Sequence, residues 1–248
     1  MSRLVTAYSS LEWSEDGALV TKTRAPALDA RRRFRNELRV NRLLRGYRGP
    51  VGTPALVAFD VQHRRLTFTA VHGEPLGPKY PMELSADSID AVAELAQGLR
   101  GFNPERRWLR RFNAERRLAL ARRVGLLTDS QVANLLDIAS RVRTKPRFSH
   151  GDLTARNVLC GPDGLVLIDW EWAGLYPDGY DLAFLWFSLV DVDHGRERVE
   201  RHLGTSAEPP FLLSALLIQL WHLQWYVPAR FRDRHLATRD GLIDRLCG

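Results

Sequence analysis

The stretch from His150 to Asp169, HGDLTARNVLCGPDGLVLID, sets three polar side chains at spacings that phosphoryl chemistry uses. Asp152 follows His150 by two positions, and Asn157 follows Asp152 by five. Two short apolar runs, Val158–Cys160 and Leu165–Ile168, flank Gly161-Pro162-Asp163-Gly164, a string of turn formers. Runs so arranged pair as a tight antiparallel hairpin. The pairing brings Asp169 back beside Asn157, so a carboxylate and an amide oxygen converge on one point. Such oxygens suit Mg²⁺, which also takes oxygens from substrate phosphates. Asp152, on the loop before the hairpin, is placed to take a proton from an incoming hydroxyl.

His-x-Asp-Leu-x-x-x-Asn is also the catalytic-loop pattern of kinases, with Asp as base and Asn on the metal. The hairpin ending in Ile-Asp makes the match more specific than the loop alone. The segment His150–Leu185, with its run IDWEWAGLYPDGYDLAFLW, resembles the aminoglycoside phosphotransferase and choline kinase superfamily, relatives of the protein kinases. In that group Asp-Trp/Phe-Glu replaces the protein-kinase Asp-Phe-Gly. The resemblance implies Asp152 as catalytic base, Asn157 and Asp169 as Mg²⁺ ligands, and His150 and Asp181 as braces of the catalytic loop. Glu171 is open to two readings, a place near the metal or a cap on the next helix.

Upstream, the first seventy residues read as a small β-rich lobe with one helix. Strands over Ser10–Glu15 and Ala18–Thr23 flank Asp16-Gly17, a hairpin turn. A helix over Leu28–Leu44 ends at Gly46, Gly49 and Pro50. Strands near Ala55–Val61 and Arg65–Val71 complete the lobe. Lys22 on a strand and Glu37 on the following helix stand in the order that positions ATP phosphates in kinases. By the resemblance, the phosphate-covering loop falls near Tyr8-Ser9-Ser10, with Ser9 and Ser10 contacting phosphate. This chain departs from the protein-kinase pattern there, having no glycine before Gly17. The stretch Val71-His72-Gly73-Glu74-Pro75 is similar to the family's hinge, which puts backbone groups of Thr69–Val71 on adenine.

The expected architecture is therefore α+β, a two-lobed protein-kinase-like fold. Residues 1–72 form the β-rich N-terminal lobe and 73–248 the larger helical C-terminal lobe, with a hinge about 69–76. Helical patterns cover Ser88–Leu99, Ala114–Val124, Ser130–Val142, Asp181–Leu189 and Phe211–Tyr226. Asp87 or Ser85 can cap the first of these.

Bulk properties agree with an ordinary globular protein: 45% hydrophobic and 26% charged residues, without a repeat or low-complexity tract. Two cysteines, Cys160 and Cys247, make no disulfide framework, and the N-terminus lacks the apolar core of a secretory signal. A cytoplasmic location is the expectation. Phe211–Val227 is strongly apolar, but Ser214, Gln219, His222 and Gln224 interrupt it, so it reads as a buried helix and no membrane partner is expected.

The net charge of +7 raises nucleic acid as a partner. Arginines gather in Arg31–Arg48, Arg100–Arg123 and Arg141–Arg147, all read as solvated helix faces, and no nucleic-acid motif accompanies them. From Trp172 to Gly248, ten acidic against eight basic residues give a net −2. That acidity, including Asp191, Asp193, Glu197 and Glu200, would permit a polycationic aminoglycoside. Trp221, Trp225 and Tyr226 either line an acceptor pocket or, as is commoner at helical spacing, belong to the core.

The expected activity is O-phosphorylation of a small-molecule hydroxyl (an aminoglycoside, amino alcohol or sugar-like acceptor) by ATP, or GTP, with Mg²⁺. The alternatives are a kinase of Ser or Thr in a biosynthetic peptide and a nucleotide-binding pseudokinase.

Overall fold

A computed structural model describes residues 3–6, 8–78, 84–105, 107, 109–142, 145–162, 164–192, 194–203 and 208–247. The chain opens with β1 (Arg3–Val5), β2 (Ser9–Trp13) and β3 (Leu19–Arg24), followed by α1 (Ala30–Leu44), β4 (Leu56–Asp60) and β5 (Arg65–Thr69). The strands form one antiparallel sheet in the order β1-β2-β3-β5-β4. The β2–β3 turn closes as its Asp-Gly suggested. Gly17 has φ +69°, and Asp16 Oδ1 accepts the Ala18 N–H at 3.0 Å.

Helix α1 has two buried faces, and they join the lobes. Phe34 and Leu38 pack with Leu56, Leu66 and Phe68 under the sheet. Val40 and Leu44 belong instead to the large core of the helical part. Asn36, between these faces, donates from Nδ2 to both Glu171 O and Ala173 O at 2.9 Å. Burying an amide there is tolerable because both its N–H groups are satisfied.

Beyond Ala70 the chain enters the helical part through β6 (Glu74–Pro75). That strand pairs with β9 (Val158–Gly161), which forms the expected hairpin with β10 (Gly164–Leu167). Asp163, in the hairpin turn, lies outside the described residues. A third sheet joins β7 (Arg110–Arg111), β11 (Gly174–Tyr176) and β8 (Arg147–Ser149). The helices are α2 (Ala86–Arg100), α3 (Ala114–Arg123), α4 (Asp129–Arg141), α5 (Tyr180–Ser188), α6 (Gly195–Arg201), α7 (Glu208–Trp225) and α8 (Arg232–Cys247). Ser85 caps α2, its Oγ accepting the Ser88 N–H at 3.2 Å. All nine residues of α5 are buried, and most of α7 packs beside it in the same core.

The Arg-rich stretches are less uniformly helical than expected. Arg147 opens β8 rather than extending α4, and β7 interrupts Arg100–Arg123. Helices α6 and α8 escape sequence reading: α6 has seven residues, and in α8 His235, Leu242 and Ile243 are the buried positions. Among the described residues, no helix is long and apolar enough to cross a membrane.

Candidate active site

The loop from His150 to Asn157 is held from beneath by one buried carboxylate. Asp181, in the first turn of α5, accepts the His150 N–H at 2.7 Å and the Gly151 N–H at 2.9 Å. Burial raises its pKa, while the nearby His150 and these two amides pull the other way. Gly151 has φ +81°, and a Cβ there would stand 2.5 Å from Trp172 O, so both conformation and space demand glycine. His150 faces inward, with Nε2 2.9 Å from Ile168 O and Nδ1 accepting the Asp152 N–H at 3.4 Å. It ties the loop to the end of the hairpin and is fully buried.

Asp152 and Asn157 lie together. Asn157 Nδ2 donates to Asp152 O at 2.9 Å and to Asp152 Oδ2 at 3.2 Å, which turns Asn157 Oδ1 away from that carboxylate. Asp169 ends the hairpin in a left-handed conformation, φ +64° and ψ +58°, unusual outside glycine but tolerated by Asp. Lys22 Nζ donates to Asp169 Oδ1 at 2.8 Å and to Glu37 Oε1 at 2.7 Å. The strand lysine, the helix glutamate and the hairpin aspartate thus form one chain of charges.

Arg24, two residues beyond Lys22 on the same face of β3, was not singled out by sequence reading. Its guanidinium donates to Glu37 Oε2 at 2.6 Å, pairs with Glu171, and lies 3.6 Å from Asp169 Oδ1. Arg33 reaches Glu171 Oε1 at 3.2 Å from α1. Glu171 is therefore held by two guanidiniums. The period-2 alternation of β3 was the available signal, since it puts positions 22 and 24 side by side.

Burial alone would raise the Asp169 carboxyl. The charges of Lys22 and Arg24, with the Lys22 hydrogen bond, outweigh it and hold Asp169 at about 2 against an ordinary 3.8. A depressed carboxylate pKa stabilises the fold above the unfolded value and loses that contribution as pH falls through the folded one. We therefore expect wild-type stability to drop as pH falls from 3.8 toward 2. Asp169→Asn should flatten that part of the curve. Denaturation midpoints of both proteins across this range check it, and parallel curves would contradict it.

Ser10 lies inside β2, opposite Val5 and Thr23. The turn before it is closed by Thr6, whose Oγ1 accepts the Ser9 N–H at 3.0 Å, and Thr6, Tyr8 and Ser9 all border the cavity. A threonine-held turn thus occupies the place where glycines were missed. At the hinge, the Thr69 N–H donates to Ala55 O and Thr69 Oγ1 accepts the Ala55 N–H, both at 2.9 Å. The Ala70 N–H goes to Ala18 O at 2.8 Å, so the sheet itself consumes both amides.

In front of Asp152 lies a cavity of about 410 Å³, a size common for small-molecule sites. Asp152, Asn157 and Asp169 border one end, and rings from the turn after the hairpin and from α5 and α7 border the rest. Trp221 and Tyr226 line it, whereas Trp225 is 61% exposed and none of the three is core. Asp191, Glu197 and Glu200, whose acidity would permit a polycation, do not border it. Asp191 pairs with Arg234, Glu197 sits beside His194, and Glu200 accepts from Trp186 Nε1 at 2.8 Å. Asp193 lies outside the described residues.

A five-stranded sheet over a helical body, with the His150–Asp169 hairpin between them, is the protein-kinase-like two-lobed fold. The solved structures agree. An ADP-bound aminoglycoside phosphotransferase, APH(2'')-Ib, is 17% identical with a TM-score of 0.66, over 97% of this chain and 90% of that one. The choline kinase LicA from Streptococcus pneumoniae is 14% identical with a TM-score of 0.69, over 98% and 94%. Aminoglycoside phosphotransferase APH(4)-Ia is 16% identical with a TM-score of 0.67, over 100% and 93%. No curated protein matches the sequence. The phosphotransferase enzyme family model matches residues 10–213, and the chain belongs to that family. Its class is that of a phosphotransferase.

Proposed function

We propose that the chain moves the γ-phosphoryl group of ATP to a hydroxyl of a small molecule seated in the cavity at Asp152. The observation that carries this reading is the meeting of Asp152, Asn157 and Asp169 at one end of that cavity, backed by the Lys22–Glu37 pair. Asp152 orients the acceptor hydroxyl and takes its proton as the new P–O bond forms. The β–γ bridging bond breaks, and its electron pair leaves on ADP. Lys22, fixed by Glu37, faces the phosphate chain. Most of the work is positioning and electrostatics. A neighbour solved with ADP and hygromycin B, and another solved with streptomycin and ATP, support a nucleotide beside a small hydroxylated acceptor in this fold.

The donor set suits Mg²⁺. Asn157 has spent its amide nitrogen on Asp152, leaving its oxygen available, and Asp169 stays ionised. Glu37, Asp169 and Glu171 also bring oxygens within 4.8 Å of one another, but Lys22, Arg24 and Arg33 pair with that trio. It is an ion-pair cluster rather than the metal position. Mg²⁺ held by Asn157 and Asp169 would supply neutralising charge for the phosphates. Asp169→Ala is expected to weaken MgATP binding at least about tenfold, on the scale of one lost charge-assisted contact. Calorimetric titration with MgATP measures it, and unchanged affinity would remove Asp169 from this role.

An ADP-release assay across amino alcohols, sugars, aminoglycosides and hydroxy acids tests the proposal as a whole. Turnover dependent on Asp152 supports it. MgATP binding with no acceptor anywhere in the panel would count against it.

A further inference from the structure

The cations around the acceptor cavity are not balanced by carboxylates. Arg24 and Arg33 border it but are paired with Glu37 and Glu171. Arg117, from α3, borders it with its guanidinium 5.1 Å from the Trp221 ring centre and 5.0 Å from that of Phe112. One of its five N–H groups goes to Leu217 O at 3.3 Å. Arg156 borders the cavity from the loop between Asp152 and Asn157. Arg110 stands one ring further back, 4.7 Å over Trp172. Among the described residues, Arg110, Arg117 and Arg156 have no carboxylate within ion-pair distance. Burial lowers the Arg110 pKa, and its neighbours Arg32 and Arg117 add like charge. Stacking on rings accounts for how Arg110 and Arg117 are held. It leaves their charge unanswered at a site where water is partly excluded.

The opposite sign is scarce. The carboxylates bordering the cavity are Asp152, Asp169 and Glu171, and the last two are already engaged by Lys22, Arg24 and Arg33. Much of the remaining wall is aromatic, Trp172, Tyr176, Phe184, Phe187, Trp221 and Tyr226 among it, and His222 adds a further basic side chain. Rings alone would welcome a quaternary amine. Rings with guanidiniums standing over them repel one and suit a flat, apolar body bearing negative charge.

We infer that the acceptor is an anionic hydroxyl compound, a carboxylate or phosphate ester with an aromatic or flat apolar body. Its anionic group lies against Arg117, with Arg156 and Arg110 nearby, and its hydroxyl lies at Asp152. This rests on the kinase reading of the site and specifies its substrate class. The step balances as before: acceptor oxygen to phosphorus, proton to Asp152, bridging electron pair to ADP.

The test uses the full chain with three probes that share a phenyl ring and one secondary hydroxyl: mandelate, mandelamide and phenylethanolamine. Kanamycin and choline extend the cationic arm, and larger aromatic hydroxy acids such as phenyllactate extend the anionic one. Binding is followed by quenching of Trp172 and Trp221 fluorescence with MgADP present, and turnover by ADP release. We expect the acids to be favoured over matched amides by about tenfold, the low end for one partly exposed charge-assisted contact. Arg117→Gln should erase that preference, and Arg117→Lys should keep part of it, which separates lost charge from damaged packing. Preference for amines, failure of every acid to bind, or an acid preference indifferent to Arg117→Gln would overturn the inference. MgATP titrations on the same samples keep the kinase reading separate, because MgATP binding with cation-selective turnover would sink the charge inference alone.

Discussion

Asp152→Ala should lower turnover by about two to four orders of magnitude, the range for a lost general acid–base group, while MgATP still binds. The separation follows from what Asp152 touches. Its main-chain oxygen accepts from Asn157 whatever the side chain, so the loop keeps that bond in the variant. The Lys22–Asp169 contact does not involve Asp152 at all. Asp152→Asn is the stricter control, since it keeps the volume and an oxygen for Asn157 but cannot take a proton. Single-turnover measurements with saturating acceptor, beside calorimetry with MgATP, distinguish the outcomes. Turnover within a few-fold of wild type in either variant would remove Asp152 as the base.

Much of this arrangement was legible because it is local. From His150 to Asp169 every spacing is set by one loop and one hairpin, and turn chemistry in Gly161–Gly164 is enough to fold it. The Lys22–Glu37 pair was legible through order along the chain, strand before helix. Arg24 was not, because its meaning depends on Glu171, which arrives 147 positions later and from the other lobe. The acceptor wall lies beyond sequence reading for a related reason. Charge summed over Trp172–Gly248 cannot say which side chains face inward, and Asp191 and Glu200 turn out to pair with Arg234 and Arg245. Arg117, which borders the cavity, comes from a stretch read as a solvated face. At the hinge, register decides what the backbone offers: the Ala55 and Ala18 carbonyls, both in the small lobe, take the Thr69 and Ala70 amides.

Glu37→Ala is expected to cost about 3 kcal/mol of stability, the low end for removing one partner from a buried ion pair, and to weaken nucleotide binding as well. The Glu37 side chain is 2% exposed and carries one oxygen for each of two cations, Lys22 at 2.7 Å and Arg24 at 2.6 Å. Its loss strands the Arg24 guanidinium, itself 4% exposed, beside Glu171 and the edge of Asp169. The cost stays at the low end because both cations keep another carboxylate. For a chain of this size the change corresponds to a fall of about 6–12 °C in Tm. The same retained contact predicts the functional loss. Without Glu37, Lys22 has Asp169 as its remaining carboxylate and is drawn onto an oxygen proposed for Mg²⁺. KM for ATP should then rise more than kcat falls. Glu37→Gln keeps the side-chain volume and one acceptor oxygen, so its loss of stability should be smaller. A double-mutant cycle of Glu37→Ala with Arg24→Ala should show coupling, because the second substitution removes the charge that the first left buried. Additive losses of Tm in that cycle would mean that Glu37 holds Lys22 alone, and that Arg24 belongs energetically to Glu171.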